Sequence, residues 1–473
     1  MDGTVKDIRI QIPDAVLFAA GRLESFGYTA YLVGGCVRDA VMGTEPKDYD
    51  LCTSALPERM LEVFSDCRLV ETGLKHGTVT LVKDGMNIEI TTYRLDGAYR
   101  DGRHPEKVTF TDRISEDLKR RDFTINAMAY SPSQGLLDLF GGCDDIEKKT
   151  VRCVGRAEDR FSEDGLRILR ALRFSSVLGF TPDEECSDAA RRCAHMLGKI
   201  SRERIFSEIR KTLEGKDADR ILFRYGDVVA AALDPELEPD ILSKGGLKFR
   251  KDTGKPEAVM RLATLLDGEN PQYAKKIFSS LKPSRAESKL FSSFLEHRAD
   301  APVTEYGFLK LISRTDDSFA FDLIRYELMC GRLDAEDAAE REKTVQKIIR
   351  EDMPRGLKDL QVTGSDLAGT GLEGRLIGDC LEHLLDLVMR KALPNSKDAL
   401  MAEAARFTGP AEKAKNFGTC DSCEFYDDKW GDGVLECTKD LDEDELYRAF
   451  GDRESVCPYY KFYDEYKSVE KQN

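Results

Sequence analysis

Apolar positions along this chain follow two rhythms. Val16, Leu17, Ala20 and Leu23 repeat with helical spacing and predict an amphipathic helix over 13–26. Short apolar runs predict strands over 30–33, 48–52, 78–83 and 87–93, and Asp84-Gly85 between the last two is a hairpin signal. Ser54 is a candidate N-cap for a helix with Pro57 in its first turn. From about residue 155 the pattern is helical. The segment 164–178 carries apolar residues at 166, 168, 169, 172 and 174, and 201–213 opens on Ser201 and ends at Gly215. Helical segments separated by Gly, Pro and Asp continue over 216–405, one of them from about 373 to 391. The reading is an α/β head over 1–145, a helical neck over 146–240, a helical body and tail over 241–408, and, after a polar linker near 407–418, a small module over 418–473.

Composition narrows the class. The 473 residues are 41% hydrophobic and 33% charged, which fits a soluble, multidomain protein with much helical surface. The net charge of -16 excludes a polycation that coats nucleic acid, but the charge is uneven. Residues 411–473 hold 9 Lys+Arg against 17 Asp+Glu, while 151–215 hold 13 against 11. No apolar run has the length of a membrane span, and the N-terminus lacks a signal peptide's basic start and apolar core. The 13 cysteines are odd in number and mostly scattered, which predicts free thiols in a reducing cytoplasm.

The chemistry concentrates first at Gly34-Gly35-Cys36-Val37-Arg38-Asp39, followed by Asp48-Tyr49-Asp50. Paired glycines let the backbone turn sharply and approach a phosphate, and Arg38 can reach the same group. Asp48 and Asp50, at i and i+2 of an extended segment, project to one face and can share a pair of Mg²⁺ ions, hard cations that hold nucleotide phosphates. The combination points to nucleotidyl transfer. Glu89 is a candidate third carboxylate on a neighbouring strand, or an ordinary strand-face residue. In Arg120-Arg121-Asp122-Phe123-Thr124-Ile125-Asn126, Arg121 offers a forked cation to a triphosphate and Asn126 a partner for a sugar hydroxyl, while Phe123 and Ile125 anchor the segment. Asp164 and Arg167 stand three apart at a predicted helix start, so both can face one pocket. An acceptor beside a donor matches the exocyclic amine and ring nitrogen of cytosine and adenine, and mismatches uracil and guanine. The plainer alternative is an i,i+3 salt bridge.

These segments, with Glu163-Asp164-Gly165-Leu166-Arg167 running on to Phe174 and with Ser201-Arg202-Glu203-Arg204-Ile205, resemble the class II tRNA nucleotidyltransferase and bacterial poly(A) polymerase superfamily over roughly residues 25–240. The resemblance implies a polymerase-beta-like palm as head, all-α neck, body and tail, and CCA addition to tRNA from CTP and ATP by two-metal transfer, with pyrophosphate released. Poly(A), A-only or CC-only addition is the alternative, and a non-catalytic tRNA-binding protein a more distant one. It implies catalytic roles for Asp48 and Asp50, with Glu89 as a further candidate. It implies nucleotide contacts for Gly35, Arg38, Arg121, Arg170 and Arg173, where either of the last two arginines can instead pair with a nearby carboxylate, and base selection by Asp164 and Arg167. A Gly-rich, charged segment from Tyr93 to Pro105 matches the loop that accompanies full CCA synthesis in the family. Arg202, Arg204, Arg210 and Lys211 are candidate tRNA phosphate contacts or a solvated helix face. The histidines, His76, His104, His195, His297 and His383, form no His-Asp dyad, so the phosphohydrolase domain of some relatives is not expected.

Cys420-x2-Cys423-x13-Cys437-x19-Cys457 stands apart. A CxxC pair with two later cysteines predicts a four-thiolate site for Zn²⁺, with an iron–sulfur cluster as the alternative and disulfides or unligated thiols as the plain reading. The module resembles small acidic four-cysteine bacterial domains of uncharacterised role. Its acidity points to a protein partner or RNA mimicry rather than to RNA binding. The sequence sets no oligomeric state.

Overall fold

The computed structural model describes residues 4–6, 10–71, 73–74, 77–96, 108–252, 254–255, 257–298, 301–369, 372–407, 426–427 and 436–437. Its contacts divide the chain into two compact units, Met1–Ala301 with Ser318–Lys343, and Pro302–Asp317 with Thr344–Asn473. The division falls inside the helical part, not at the predicted head–neck junction near residue 145.

The first unit opens with the head. Its strands are β1 (Thr4–Lys6), β2 (Ala30–Val33), β3 (Asp50–Thr53), β4 (Arg68–Val70), β5 (Thr78–Lys83), β6 (Met86–Thr92), β7 (Arg94–Asp96), β8 (Val108–Phe110), β9 (Met128–Ser131) and β10 (Gly135–Asp138). Eight form one mixed sheet in the order β1-β10-β9-β2-β3-β6-β5-β4, and β7 pairs with β8 apart from it. The helices α1 (Asp14–Ser25), α2 (Gly35–Val41), α3 (Pro57–Val63), α4 (Ile114–Lys119) and α5 (Gly142–Glu147) belong to the same region.

Alternation along the strands fixes which face each residue takes. Leu32, Leu51, Ile88 and Ile90 join Val16, Leu23 and Phe64 in the main core, all buried. Val33 and Cys52 face the other way, with Tyr31, Tyr93, Leu118 and Ala129. Each such aliphatic side chain contributes about 1.5–3 kcal/mol relative to exposure, so a one-residue slip of β6 would cost Ile88 and Ile90 together. The hairpin signal holds: Asp84 and Gly85 take φ of 50° and 78°, and Lys83 pairs with Met86. Ser54 is not a cap. Leu56 is the N-cap residue of α3, and the Ser54 hydroxyl instead accepts the Thr29 N–H at 3.0 Å.

The neck follows as α6 (Ala157–Glu163), α7 (Leu166–Leu178), α8 (Glu184–Arg192) and α9 (Arg202–Leu213). It is stitched to the head by main chain: Thr124 N–H donates to Arg152 O at 2.9 Å, Val154 N–H to Asp122 O at 3.1 Å, and Phe123 bridges Cys153. Further helices complete this unit. The second unit contains helices over Glu305–Arg314, Gly364–Ala368, Arg375–Met389 and Lys397–Ala404, around buried Phe308, Leu384 and Leu400. Among the described residues no helix is long and apolar enough to cross a membrane.

Candidate active site

At the end of β2 the chain leaves the core and turns back on itself. Gly34 takes φ 77° and ψ -131°, a conformation that side chains rarely adopt, and a Cβ there would stand 3.2 Å from Arg121 Nη1. Gly35 begins α2, and a Cβ on it would approach Arg38 Nη2 at 3.6 Å. Only the first of these contacts is tight, so the turn makes room for the Arg121 guanidinium. Arg38 is set by Asp39, which accepts from its Nε at 2.9 Å, and by Asn126 Oδ1 at 2.8 Å from Nη1.

Asp48 and Asp50 line the same hollow of about 680 Å³ as Gly35, Arg38, Arg121, Asp164, Arg167, Arg170 and Arg173. Strand β3 begins at Asp50, so the predicted strand start at 48 is two residues early; Asp48 lies in the bend before it. Tyr49 between them is buried in the core, which sends the two aspartates the opposite way. Among the described residues neither carboxylate has a hydrogen-bond or ion-pair partner. Glu89 lies beside Asp50 in the parallel β3–β6 register. Loss of water to the surrounding walls, then repulsion from Glu89 and Asp48, push the Asp50 carboxyl above its ordinary value against the pull of Arg121. This excess negative charge fits a cation, and two unpartnered carboxylates are hard oxygen donors of the kind Mg²⁺ takes. Glu89 is exposed and does not line the hollow, and no group of three or more His, Cys, Asp or Glu that can hold a metal occurs among the described residues. Glu89 is thus an electrostatic neighbour of Asp50 rather than part of a three-carboxylate cluster.

Arg121 is clamped from behind. Its Nη2 donates to Asp117 Oδ2 at 3.1 Å and lies 3.4 Å from Cys52 Sγ, while its buried Nε has no hydrogen-bond partner. Asp117 is fully buried and also takes Arg120 at 2.7 Å. Burial alone would raise the Asp117 carboxyl, but Arg120 and Arg121 hold it below its ordinary value. Asn126 is fixed on Arg38 and Asp122 rather than free in the hollow.

Asp164 and Arg167 do not pair with each other. Asp164 precedes α7 instead of lying in its first turn: it closes α6, and its Oδ1 accepts the Leu166 N–H at 3.0 Å. Its Oδ2 accepts from Arg204 Nη2 at 2.9 Å, from α9. Arg167 is held by Glu163 at 2.7 Å and by the Arg120 carbonyl at 3.2 Å. Three of its N–H bonds are used in this way, counting the contact to Arg160 O at 3.4 Å, so two of its five donors remain. Acceptor and donor thus both line the hollow, each held by other residues.

Arg170 and Arg173 have carboxylate partners as well as the hollow. Arg170 Nε donates to Asp122 at 2.7 Å, and Arg173 Nη1 to Glu208 at 3.2 Å. Burial would raise Asp122, yet Arg170 holds its carboxyl down to about 2. Sequence reasoning missed Phe174 and Asp122 as walls of the hollow, and it named Arg204 as a candidate tRNA contact or solvated face without its grip on Asp164. Phe174 follows Arg173 on the same helix face as Arg170, and that spacing was the available signal. Arg202 caps the carbonyls of Ala232 and Leu233, and Arg210 pairs with Glu287, so these two are held by the fold. The loop expected within Tyr93–Pro105 falls largely on residues 97–107, outside the described residues, as do Cys420, Cys423 and Cys457. Cys437 ends a two-residue strand, Glu436–Cys437, that pairs with Tyr426–Asp427.

A mixed sheet that presents two carboxylates to an arginine-walled hollow defines a polymerase-type nucleotidyltransferase head. Consistently, a family model of the poly A polymerase head domain matches residues 30–152, and one described as a probable RNA and SrmB-binding site of polymerase A matches residues 179–225. Residues 417–473 match a domain of unknown function (DUF6472). The CCA-adding enzyme of Latilactobacillus sakei subsp. sakei is 33% identical over 394 residues, 81% of this chain and 95% of that protein. That of Lactobacillus delbrueckii subsp. bulgaricus is 45% identical over 215 residues, 46% of this chain; here the chain spans about half (53%) of the relative's length. The crystal structure of the Bacillus stearothermophilus CCA-adding enzyme in complex with CTP superposes with a TM-score of 0.71 at 28% identity, covering 83% of this chain and 96% of that one. The Thermotoga maritima CCA-adding enzyme complexed with tRNA shares the fold, with a TM-score of 0.59 at 22% identity, 84% of this chain and 100% of that one. The chain belongs to the family of CCA-adding enzymes.

Proposed function

We propose that this protein adds C, C and A to the 3′ end of tRNA without a nucleic-acid template, taking CTP and ATP and releasing pyrophosphate. The observation that carries the reading is the convergence of Asp48 and Asp50 with Asp164 and Arg167 on one hollow. Nucleotidyltransferases of this kind use Mg²⁺, which Asp48 and Asp50 hold and which supplies charge neutralisation at the triphosphate and activation of the attacking 3′-hydroxyl. Arg38, Arg121, Arg170 and Arg173 bind and orient the triphosphate from the other walls. Asp164 accepts the exocyclic amine of C or A, and Arg167 donates to the ring nitrogen beside it. Uracil or guanine leaves these groups unmatched, at about 1–3 kcal/mol for each unpaired buried group. The arginine grip on Asp164 supports this assignment, because Arg204 fixes the carboxylate in place at the wall of the hollow.

The test offers a tRNA ending at its discriminator base to the purified protein, with each nucleotide alone and all together. Ordered addition of C, C and A that then stops is expected. Runs of A, a single A or arrest after two C residues would give the partial or poly(A) alternatives, and binding without incorporation would leave a tRNA-binding protein. For the C-terminal module, Cys420, Cys423, Cys437 and Cys457 are proposed to hold Zn²⁺ in preference to an iron–sulfur cluster. Elemental analysis expects about one zinc per chain, and a visible absorption band with bound iron would reverse that choice. The acidic charge of the same module is proposed to meet a protein partner, in a cytoplasmic setting; co-purification that survives removal of residues 418–473 would refute it.

A further inference from the structure

Phe174 lies on the hollow-facing side of α7 and is only 8% exposed. Its ring is held from behind by Phe123, edge to face, with centroids 5.7 Å apart at 80°. Three guanidinium carbons surround the ring centroid: Arg173 at 4.2 Å, Arg38 at 5.3 Å and Arg170 at 5.5 Å. One comes from the head and two from the neck. Three like charges so close repel one another, and burial followed by the charges of Arg170 and Arg38 depresses Arg173 against the pull of Glu208.

A carboxylate in the ring's place would relieve the repulsion, but it would consume N–H donors and neutralise the site. An aromatic face attracts cations through its quadrupole and leaves their N–H groups free. We propose that Phe174 is a positioning residue for the triphosphate: it gathers Arg38, Arg170 and Arg173 around its ring and leaves the donors not already engaged by Asp39, Asn126, Asp122 and Glu208 available for phosphate oxygens. This role rests on the nucleotide reading of the hollow given above.

The experiment measures binding of CTP, ATP and inorganic tripolyphosphate by calorimetry to the full chain and to Phe174→Leu, Phe174→Met and Phe174→Tyr. The Leu and Met variants keep an apolar filling and lose the ring; Tyr keeps the ring. Leu and Met are expected to weaken all three ligands alike, by about 5- to 30-fold, with the ratio of CTP to ATP binding unchanged, and Tyr to stay within about threefold of wild type. Melting curves accompany each variant, and Met replaces Leu if Leu does not fold. Wild-type affinity for tripolyphosphate in Leu or Met, or a loss in Tyr as large as in Leu, overturns the role of the ring. A wild-type protein that binds none of the three overturns the reading of the hollow itself, so the two failures are distinct.

Discussion

Gly34 and Gly85 adopt nearly the same φ, 77° and 78°, in very different surroundings. A Cβ at Gly85 meets nothing within 4 Å, whereas one at Gly34 stands 3.2 Å from Arg121 Nη1. Alanine at either position pays backbone strain on the order of 1–3 kcal/mol. Only Gly34→Ala also pushes on Arg121. That guanidinium cannot retreat, because Asp117, fully buried, holds it from the other side at 3.1 Å. Displacement therefore falls on the edge that meets the ligand, and losing one charge-assisted hydrogen bond costs about 1.5–3 kcal/mol, or roughly 10- to 150-fold in affinity. The assay pairs chemical denaturation with CTP titration. Gly34→Ala should lose CTP affinity, and Gly85→Ala should keep it. Wild-type CTP affinity in Gly34→Ala, or an equal loss in Gly85→Ala, would refute the argument that the turn is shaped around Arg121.

Asp48→Ala should abolish incorporation while tRNA retention on a filter changes little; retained incorporation would sink the metal assignment. Asp164→Ala should relax the preference for C and A over U and G more than it weakens triphosphate binding, read as competition between nucleotides in single-turnover extension. The Asp50 carboxyl is raised, so it takes up a proton at a higher pH than an ordinary aspartate, and Mg²⁺ affinity should fall as pH drops through a range above 3.8. Glu89→Gln removes one repelling charge and should move that fall to lower pH; an unmoved profile would show that Glu89 does not act on Asp50. Asp122 is the opposite case: lowered from 3.8 to about 2, its pairing stabilises the fold above the ordinary value and is lost as pH falls through the lowered one. Asp122→Asn should cost ~2 kcal/mol near neutrality, measured by denaturant, with a gap to wild type that narrows in acid.

The head was legible because its signals are local. The strands over 30–33 and 78–83 follow from short apolar runs, and the turn from Asp84-Gly85, residue types that tolerate the positive φ observed there. The start of β3 was not, since Asp48 and Asp50 read as one extended unit while the bend before the strand depends on tertiary pairing of Asp50 with Val33 and Glu89. Convergence of Asp164, Arg167, Arg170 and Arg173 on the carboxylates followed from family motifs, not from spacing. What the sequence could not carry is who holds whom: the grip of Arg204 on Asp164 spans 40 residues and that of Arg170 on Asp122 spans 48. Such pairings depend on how α7 and α9 pack, and one-dimensional periodicity does not encode them. Ser54 failed as a cap for a related reason, because a neighbouring strand's N–H competed for its hydroxyl.

The seam between Asp122–Thr124 and Arg152–Val154 is built from main-chain atoms. Peptide groups are common to every residue except for proline's missing N–H, so the hydrogen bonds of the seam do not themselves encode any particular side chain. Base choice, on the function proposed above, is carried by a few side chains on the far side of that seam. Nucleotide preference can drift, or be redesigned, by changing those side chains without loosening the joint that delivers the chosen nucleotide to the carboxylates. Proline at position 124 or 154 is the substitution that removes one of its N–H donors.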